Sequence, residues 1–445
     1  MSSDENEQLR KGLDAMQKRD FELALETFKQ IVAVNPSFLE AYYCIGNAYE
    51  EMGKFDEALE SYSTVLTYSP REPAVFYNLA CTHRKKGENA KAITEYNKAI
   101  ELNPKYGKAY YNRGMVLLLS GEVEKAAADF DTAIKEMPQD PDPLVARGLI
   151  RIIEEQPEKA LADYDAAIKL NPDHYKAHGN RGNVMEMQDK LDEAIAEFTT
   201  VIRIAPNDFK GYMNRGYIYF RKKEYERSLA DYTRAIELNP QFAKTYCCRG
   251  SVYAELRHQQ KALDDFNESI RLSPKSPDLY IKRGQAKSAM GDRIGALEDF
   301  MEATKMAPAN QTALLNRALT RTQLGSNDDA ISDYTELIRL SSGNAQAYRL
   351  RGTLLARIGS IDEAMKDFNK SIELDPNNEN SYFNRGLIYR IQGLLPQAIQ
   401  DFTKSIELAP NHAQAYKNRA FTYGIVGNKE KGMADMEMYE KLNAE

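Results

Sequence analysis

The sequence has no tryptophan, four cysteines and five histidines in 445 residues. Four cysteines cannot staple a chain of this length, so a disulfide scaffold is excluded. Cys44, Cys81, Cys247 and Cys248 lack metal-ligand spacing, and His83, His174, His178, His258 and His412 do not cluster. No cofactor or metal is therefore expected. No apolar run is long enough to span a bilayer. The polar opening Met1-Ser2-Ser3-Asp4-Glu5-Asn6-Glu7 lacks the basic and apolar segments of a secretory leader, so the expected address is the reducing cytoplasm. Phosphate-binding loops, dinucleotide fingerprints and nucleophile elbows are missing too, and the chain is expected not to be an enzyme. A net charge of −7 argues against bulk nucleic-acid binding, although it says nothing of a single groove. With 42% hydrophobic residues the chain is too apolar to stay disordered.

What is present is a period. Pro36, Pro70, Pro104, Pro138, Pro172, Pro206, Pro240, Pro274, Pro308, Pro376 and Pro410 lie 34 residues apart, or 68 across Ser342. Thirteen such units tile residues 3–444 as one array, with a capping repeat at 3–36 and a divergent repeat at 411–444. With the proline placed at position 32, position 20 is alanine in eleven units, with Ser228 and Gly432 in the others. Position 8 is glycine except at Ala80, Ala318 and Ala420, and position 24 is aromatic from Phe28 to Phe402. Small residues at 8 and 20 let two helices approach closely, and the ring at 24 fills the space between them.

Each unit reads as two helices. Apolar residues at positions 4, 8 and 11 follow a 3.6-residue period. Gly53, Gly87, Gly121, Gly291, Gly325, Gly359, Gly393 and Gly427 sit where a left-handed cap ends the first helix. Pro157 and Pro396 fall in the opening turn of the second helix, where a missing N–H is harmless. This pattern resembles the tetratricopeptide repeat over essentially the whole chain. Tyrosine at position 4 (Tyr42, Tyr110, Tyr212 and others) stands where the family often has tryptophan, which accounts for the missing indole. The resemblance implies an all-α helix-turn-helix solenoid, wound as a right-handed superhelix whose first helices line a concave groove.

Two columns are charged. Position 7 is arginine in ten consecutive units, from Arg113 to Arg419, and position 23 is acidic from Glu95 to Asp435. Because the acids begin one unit before the arginines, each acid is expected to pair with the arginine 18 residues on, bridging repeats. Arg215 with Glu197 is one such expected pair.

Family members bind extended peptides through positions 2, 5, 6, 9, 12 and 13, so the resemblance assigns the groove to these columns. Position 6 carries Asn78, Asn112, Asn180, Asn214, Asn316, Asn384 and Asn418, whose amides both donate and accept. This ladder resembles the repeat arm of the O-linked N-acetylglucosamine transferase. Lys108, Lys176, Lys210 and Lys244 precede position 6 by one helical turn, and Asn183 and Arg221 add to the same surface. The six columns hold twelve basic and seven acidic residues over repeats 2–13, so an acidic peptide is the expected partner. Two partial copies of the family's carboxylate-gripping set, Asn47–Asn78–Lys108 and Asn183–Asn214–Lys244, leave open an adaptor for C-terminal carboxylates. A helical-repeat RNA binder using Tyr43, Tyr77 and Tyr111 is a third reading, disfavoured by the acidic exterior. In the last repeat Met433, Met436 and Met438 offer an apolar face to a second copy of the chain, or simply fray.

Overall fold

The computed structural model describes residues 3–444, with side chains from Glu5, as twenty-six α-helices in tandem pairs and no strand. Repeat 6 is representative: a first helix Tyr175–Met187 and a second helix Leu191–Ile204. The chain divides into two compact units, one up to Ile218 and one from Tyr219. Within each unit helices pack on their chain neighbours, and first helices of several successive repeats also touch. Pro73–Lys85 meets Gly107–Leu119 in the first unit, and Ala243–Glu255 meets Pro277–Ala289 in the second. First helices of several successive repeats thus lie side by side in each unit. No helix among the described residues is long and apolar enough to cross a membrane.

The small and aromatic columns pack as the spacing requires. Ala92, Ala126, Ala160 and Ala194 are fully buried, as are the rings of Tyr96 and Phe130. A Cβ added to Gly114 would stand 2.7 Å from the Phe130 ring, so the glycine is there for close approach rather than for backbone freedom. The eight predicted capping glycines all adopt positive φ, between 73° and 88°. The same left-handed turn recurs where glycine is absent, at Arg19, Glu155, Asp189, Lys223 and Arg257, with φ of 58–63°. These residues carry a Cβ in a region that disfavours one, at about 1 kcal/mol each. Four of them fall in the consecutive repeats 5–8.

The ionic ladder is wired differently from the expectation. Arg113 forks onto Asp129 of its own repeat, Nε to Oδ2 at 2.8 Å and Nη2 to Oδ1 at 2.6 Å, 16 residues on rather than 18 back. Arg147, Arg249, Arg283, Arg351, Arg385 and Arg419 repeat the fork. Glu197 likewise serves Arg181, at 2.6 Å. The early acid Glu95, whose repeat has Leu79 at position 7, is held by Lys98 on its own helix at 2.9 Å. A lysine one turn away therefore satisfies it, which is why the early onset misled.

The link between repeats comes from the remaining guanidinium nitrogen. Nη1 of Arg113 donates to Asn97, that of Arg283 to Asn267 and that of Arg351 to Thr335, all at position 25 of the preceding repeat. Where position 25 is Met301 and cannot accept, Nη1 of Arg317 turns to the Thr304 hydroxyl at 2.6 Å. Each of these arginines thus directs Nε, Nη1 and Nη2 to partners inside the protein. The carboxylates they meet are nearly buried, Asp129 being 5% exposed, so removing one partner strands a charge.

Candidate groove of repeats 6 and 7

Helical spacing places Lys176, Asn180 and Asn183 on one face of Tyr175–Met187, and Lys210 and Asn214 on one face of Phe209–Arg221. The two faces adjoin, with Asn214 Nδ2 3.5 Å from Asn183 Oδ1. All five side chains line one cavity of about 270 Å³ together with Tyr175, Gly179, Phe198, Val201, Asp208 and Gly211. Neither Lys176 nor Lys210 has a salt-bridge partner among the described residues. The acid on the rim, Asp208, turns Oδ1 to the Lys210 backbone N–H at 3.0 Å.

Behind this face, His178 is buried in the aromatic slot. Its Nε2 donates to the Pro172 carbonyl at 3.0 Å and its Nδ1 meets Glu197 Oε2 at 2.7 Å. Glu197 is thus shared by His178 and Arg181, and Arg181 Nε is left buried without a partner. Arg181 Nη1 also reaches Asp165 of the preceding repeat, at 2.6 Å.

The other predicted residues do not converge in this way. Asn112 donates to the Tyr77 hydroxyl at 2.9 Å and to the Lys108 carbonyl at 3.0 Å. Asn316 and Asn418 donate to the carbonyls of Thr312 and Gln414 on their own helices, and Asn384 to the Thr353 hydroxyl. Asn78 lies half-buried on Pro73–Lys85, where its carbonyl accepts the Thr82 hydroxyl. Lys108 and Lys244 stand exposed near the starts of their helices, and Arg221 ends Phe209–Arg221 at the start of the second unit. In the first carboxylate-gripping set, Asn47 is already engaged by the Tyr62 hydroxyl at 2.6 Å.

Position 5, one of the six groove columns, distinguishes repeat 6. Tyr43, Tyr77 and Tyr111 lay their rings on the position-24 rings of Tyr62, Tyr96 and Phe130, at centroid distances of 6.4, 6.0 and 6.1 Å. Phe383 does the same with Phe402 at 5.9 Å. Burial pushes the Tyr111 hydroxyl up to about 12 and raises those of Tyr43 and Tyr77 as well. In repeat 6 that position is Gly179, whose added Cβ would meet only Val201, at 3.8 Å. The one legible signal was a glycine in a column otherwise occupied by larger side chains.

The cysteines are packing residues. Cys247 and Cys248 are free, and burial pushes the Cys247 thiol up to about 11 and that of Cys248 upward also. No group of acids, histidines and cysteines able to hold a metal occurs among the described residues. At the C-terminal repeat, helix Lys429–Ala444 buries only Asp435 and leaves Met433 72% exposed.

Tetratricopeptide repeat models match residues 77–141, 147–209 and 281–344, and also 39–72 and 380–412. A further model of the same repeat matches 216–256 and 352–393. No curated protein matches the chain significantly. Among solved structures, the chain is similar to the APC/C hetero-tetramer Cut9-Hcn1, at 14% identity over 99% of this chain and 94% of that one, TM-score 0.47. It is similar to yeast Tom70 at 17% identity over 88% of this chain and 96% of that one, TM-score 0.40. A third is YrrB, titled a TPR protein with an unusual peptide-binding site, at 24% identity over 41% of this chain and 95% of that one, TM-score 0.37. With repeat models matched along most of its length and paired helices throughout, the chain belongs to the tetratricopeptide repeat family.

Proposed function

We propose that the protein is a non-enzymatic scaffold that grips extended, acidic peptide segments on its first-helix face, with repeats 6 and 7 as the main point of contact. The observation that carries this reading is the convergence of Lys176, Lys210, Asn180, Asn183 and Asn214 around one cavity. Two ammonium groups without salt bridges attract carboxylates, and carboxamides donate to and accept from a peptide backbone whatever its sequence. The ligand's own charge sets its affinity, so binding weakens as salt screens it.

Two other readings are outcomes of the same test. A C-terminal carboxylate as the determinant requires that amidating the peptide abolish binding. An RNA ligand would need free stacking surfaces, yet Tyr43, Tyr77 and Tyr111 are packed against neighbouring rings. The test is fluorescence anisotropy with a fluorescein-labelled, C-terminally amidated glutamate-rich peptide, titrated with the full chain at low and high salt. The account expects affinity that survives amidation and falls by about tenfold or more with salt screening. Binding that is indifferent to salt overturns it.

A further inference from the structure

Along the first unit the column at position 5 carries a side chain in repeats 1–5 and is open at Gly179 in repeat 6. In repeats 2–4 a tyrosine ring rests on the position-24 ring of the same repeat. In repeat 6 Gly179 supplies no side chain, and the space over Val201 and the edge of Phe198 is part of the 270 Å³ cavity. Gly211 also lines the cavity, but its added Cβ would press on Val201 at 3.0 Å and Ile202 at 3.1 Å, so it serves the packing of the two helices. The missing side chain at Gly179 lets a ligand come close to the helix backbone there. The rim is polar on all sides: Asn180, Asn183 and Asn214 with Lys176 and Lys210, and Asp208 tied to the Lys210 N–H. An apolar base under a cationic, amide-bearing rim describes a pocket that selects one side chain of a bound chain.

We propose that this pocket takes a single aromatic side chain of an extended acidic peptide, so that the ligand supplies the ring that repeats 2–4 carry as tyrosine. The occupant follows from two features. Rings fill the same position over the position-24 ring in repeats 2–4, and the unpaired Lys176 and Lys210 flank the cavity where acidic neighbours of that ring would lie. The carboxamides of Asn180 and Asn183, one turn apart, stand beside the backbone of the inserted residue. Acidity brings the peptide to the groove, and the ring fixes its register there.

This inference rests on the peptide-binding reading above, and the experiment separates the two. Two probes are titrated with the full chain by fluorescence anisotropy: fluorescein-labelled, C-terminally amidated Glu-Glu-Phe-Glu-Glu and its Glu-Glu-Ala-Glu-Glu counterpart. Wild type is expected to prefer the phenylalanine probe by about tenfold or more, about 1.4 kcal/mol. Gly179→Tyr fills the cavity from within and is expected to remove that preference, so that the two probes bind it with equal affinity. Gly179→Ala, which meets only Val201, is expected to keep most of the preference. Unchanged thermal unfolding of both variants, or unfolding at a higher temperature, shows that the fold is intact. Equal binding of the two probes to wild type overturns the pocket and leaves the acidic groove standing. Failure of both probes to bind overturns the pocket and the groove together.

Discussion

Repeats 2–4 and repeat 6 share one core and differ in what covers it. In each, a buried alanine, a close-packed glycine or alanine and a buried ring set the distance between the two helices. On the groove side, repeats 2–4 close over the ring with a tyrosine, whereas repeat 6 leaves a cavity framed by lysines and asparagines. Core packing and the proposed recognition therefore sit on different columns of the same 34-residue unit. The cavity arises here by omission of one side chain from a shared framework.

The comparison can be broken most forcefully at the shared core. Phe130→Ala and Phe198→Ala each remove a buried ring and are expected to cost about 3–5 kcal/mol in urea unfolding of the full chain. A much smaller loss for Phe198 would mean that repeat 6 is loosely packed, and that its cavity is a defect in the core.

The ion-pair wiring gives the next largest effect. In a double-mutant cycle, Arg113→Ala and Asp129→Ala should couple by about 1–3 kcal/mol, because each single change strands a nearly buried charge. Arg113→Ala with Glu95→Ala should add within about 0.5 kcal/mol. Coupling in the second cycle and additivity in the first would restore pairing of each acid with the following repeat.

Closing the notch tests the difference itself. Gly179→Tyr replaces a mid-helix glycine and adds a ring beside Phe198, so unfolding should become harder by about 1 kcal/mol. A loss of stability would show that the space over Val201 is too narrow for a ring. The smallest effect concerns the turns. Glu155→Gly relieves a left-handed residue at φ 58° and should stabilise by up to about 1 kcal/mol, offset in part by the entropy of the unfolded glycine. The matching change at Gly121→Glu, in a repeat whose cap is already glycine at φ 80°, should destabilise.

Most of the framework was legible because it is written in columns. A proline every 34 residues, small residues at 8 and 20 and a ring at 24 each map to one contact, and repetition made them visible. The left-handed turns were legible only where glycine marks them. At Glu155 and Arg257 the same geometry is imposed by the surrounding helices on residues that do not favour it. Pairing along the ladder was not legible, because two acids, 16 residues ahead of Arg113 and 18 behind it, are equally plausible on spacing alone. The side-chain fork to Asp129 decides between them.

The site was half legible. Lysine at 2 and asparagine at 6 and 9 identified five residues that do line one cavity. Other members of the asparagine column looked the same in sequence, yet Asn112, Asn316, Asn384 and Asn418 direct their amides to neighbouring residues. What separates them from repeat 6 is a glycine at position 5, which leaves open the space beside Val201 and Phe198 of the second helix. That combination spans two helices and appears only once they are packed.

The most direct test of the central claim is charge reversal at the rim. Lys176→Glu with Lys210→Glu leaves the core, the ladder and Gly179 untouched and changes only the two cations that face the cavity. Anisotropy titration of the amidated Glu-Glu-Phe-Glu-Glu probe is predicted to lose affinity by about a hundredfold or more relative to wild type, with unfolding unchanged. Equal affinity of the reversed and wild-type proteins for that probe would contradict the assignment of the groove to repeats 6 and 7.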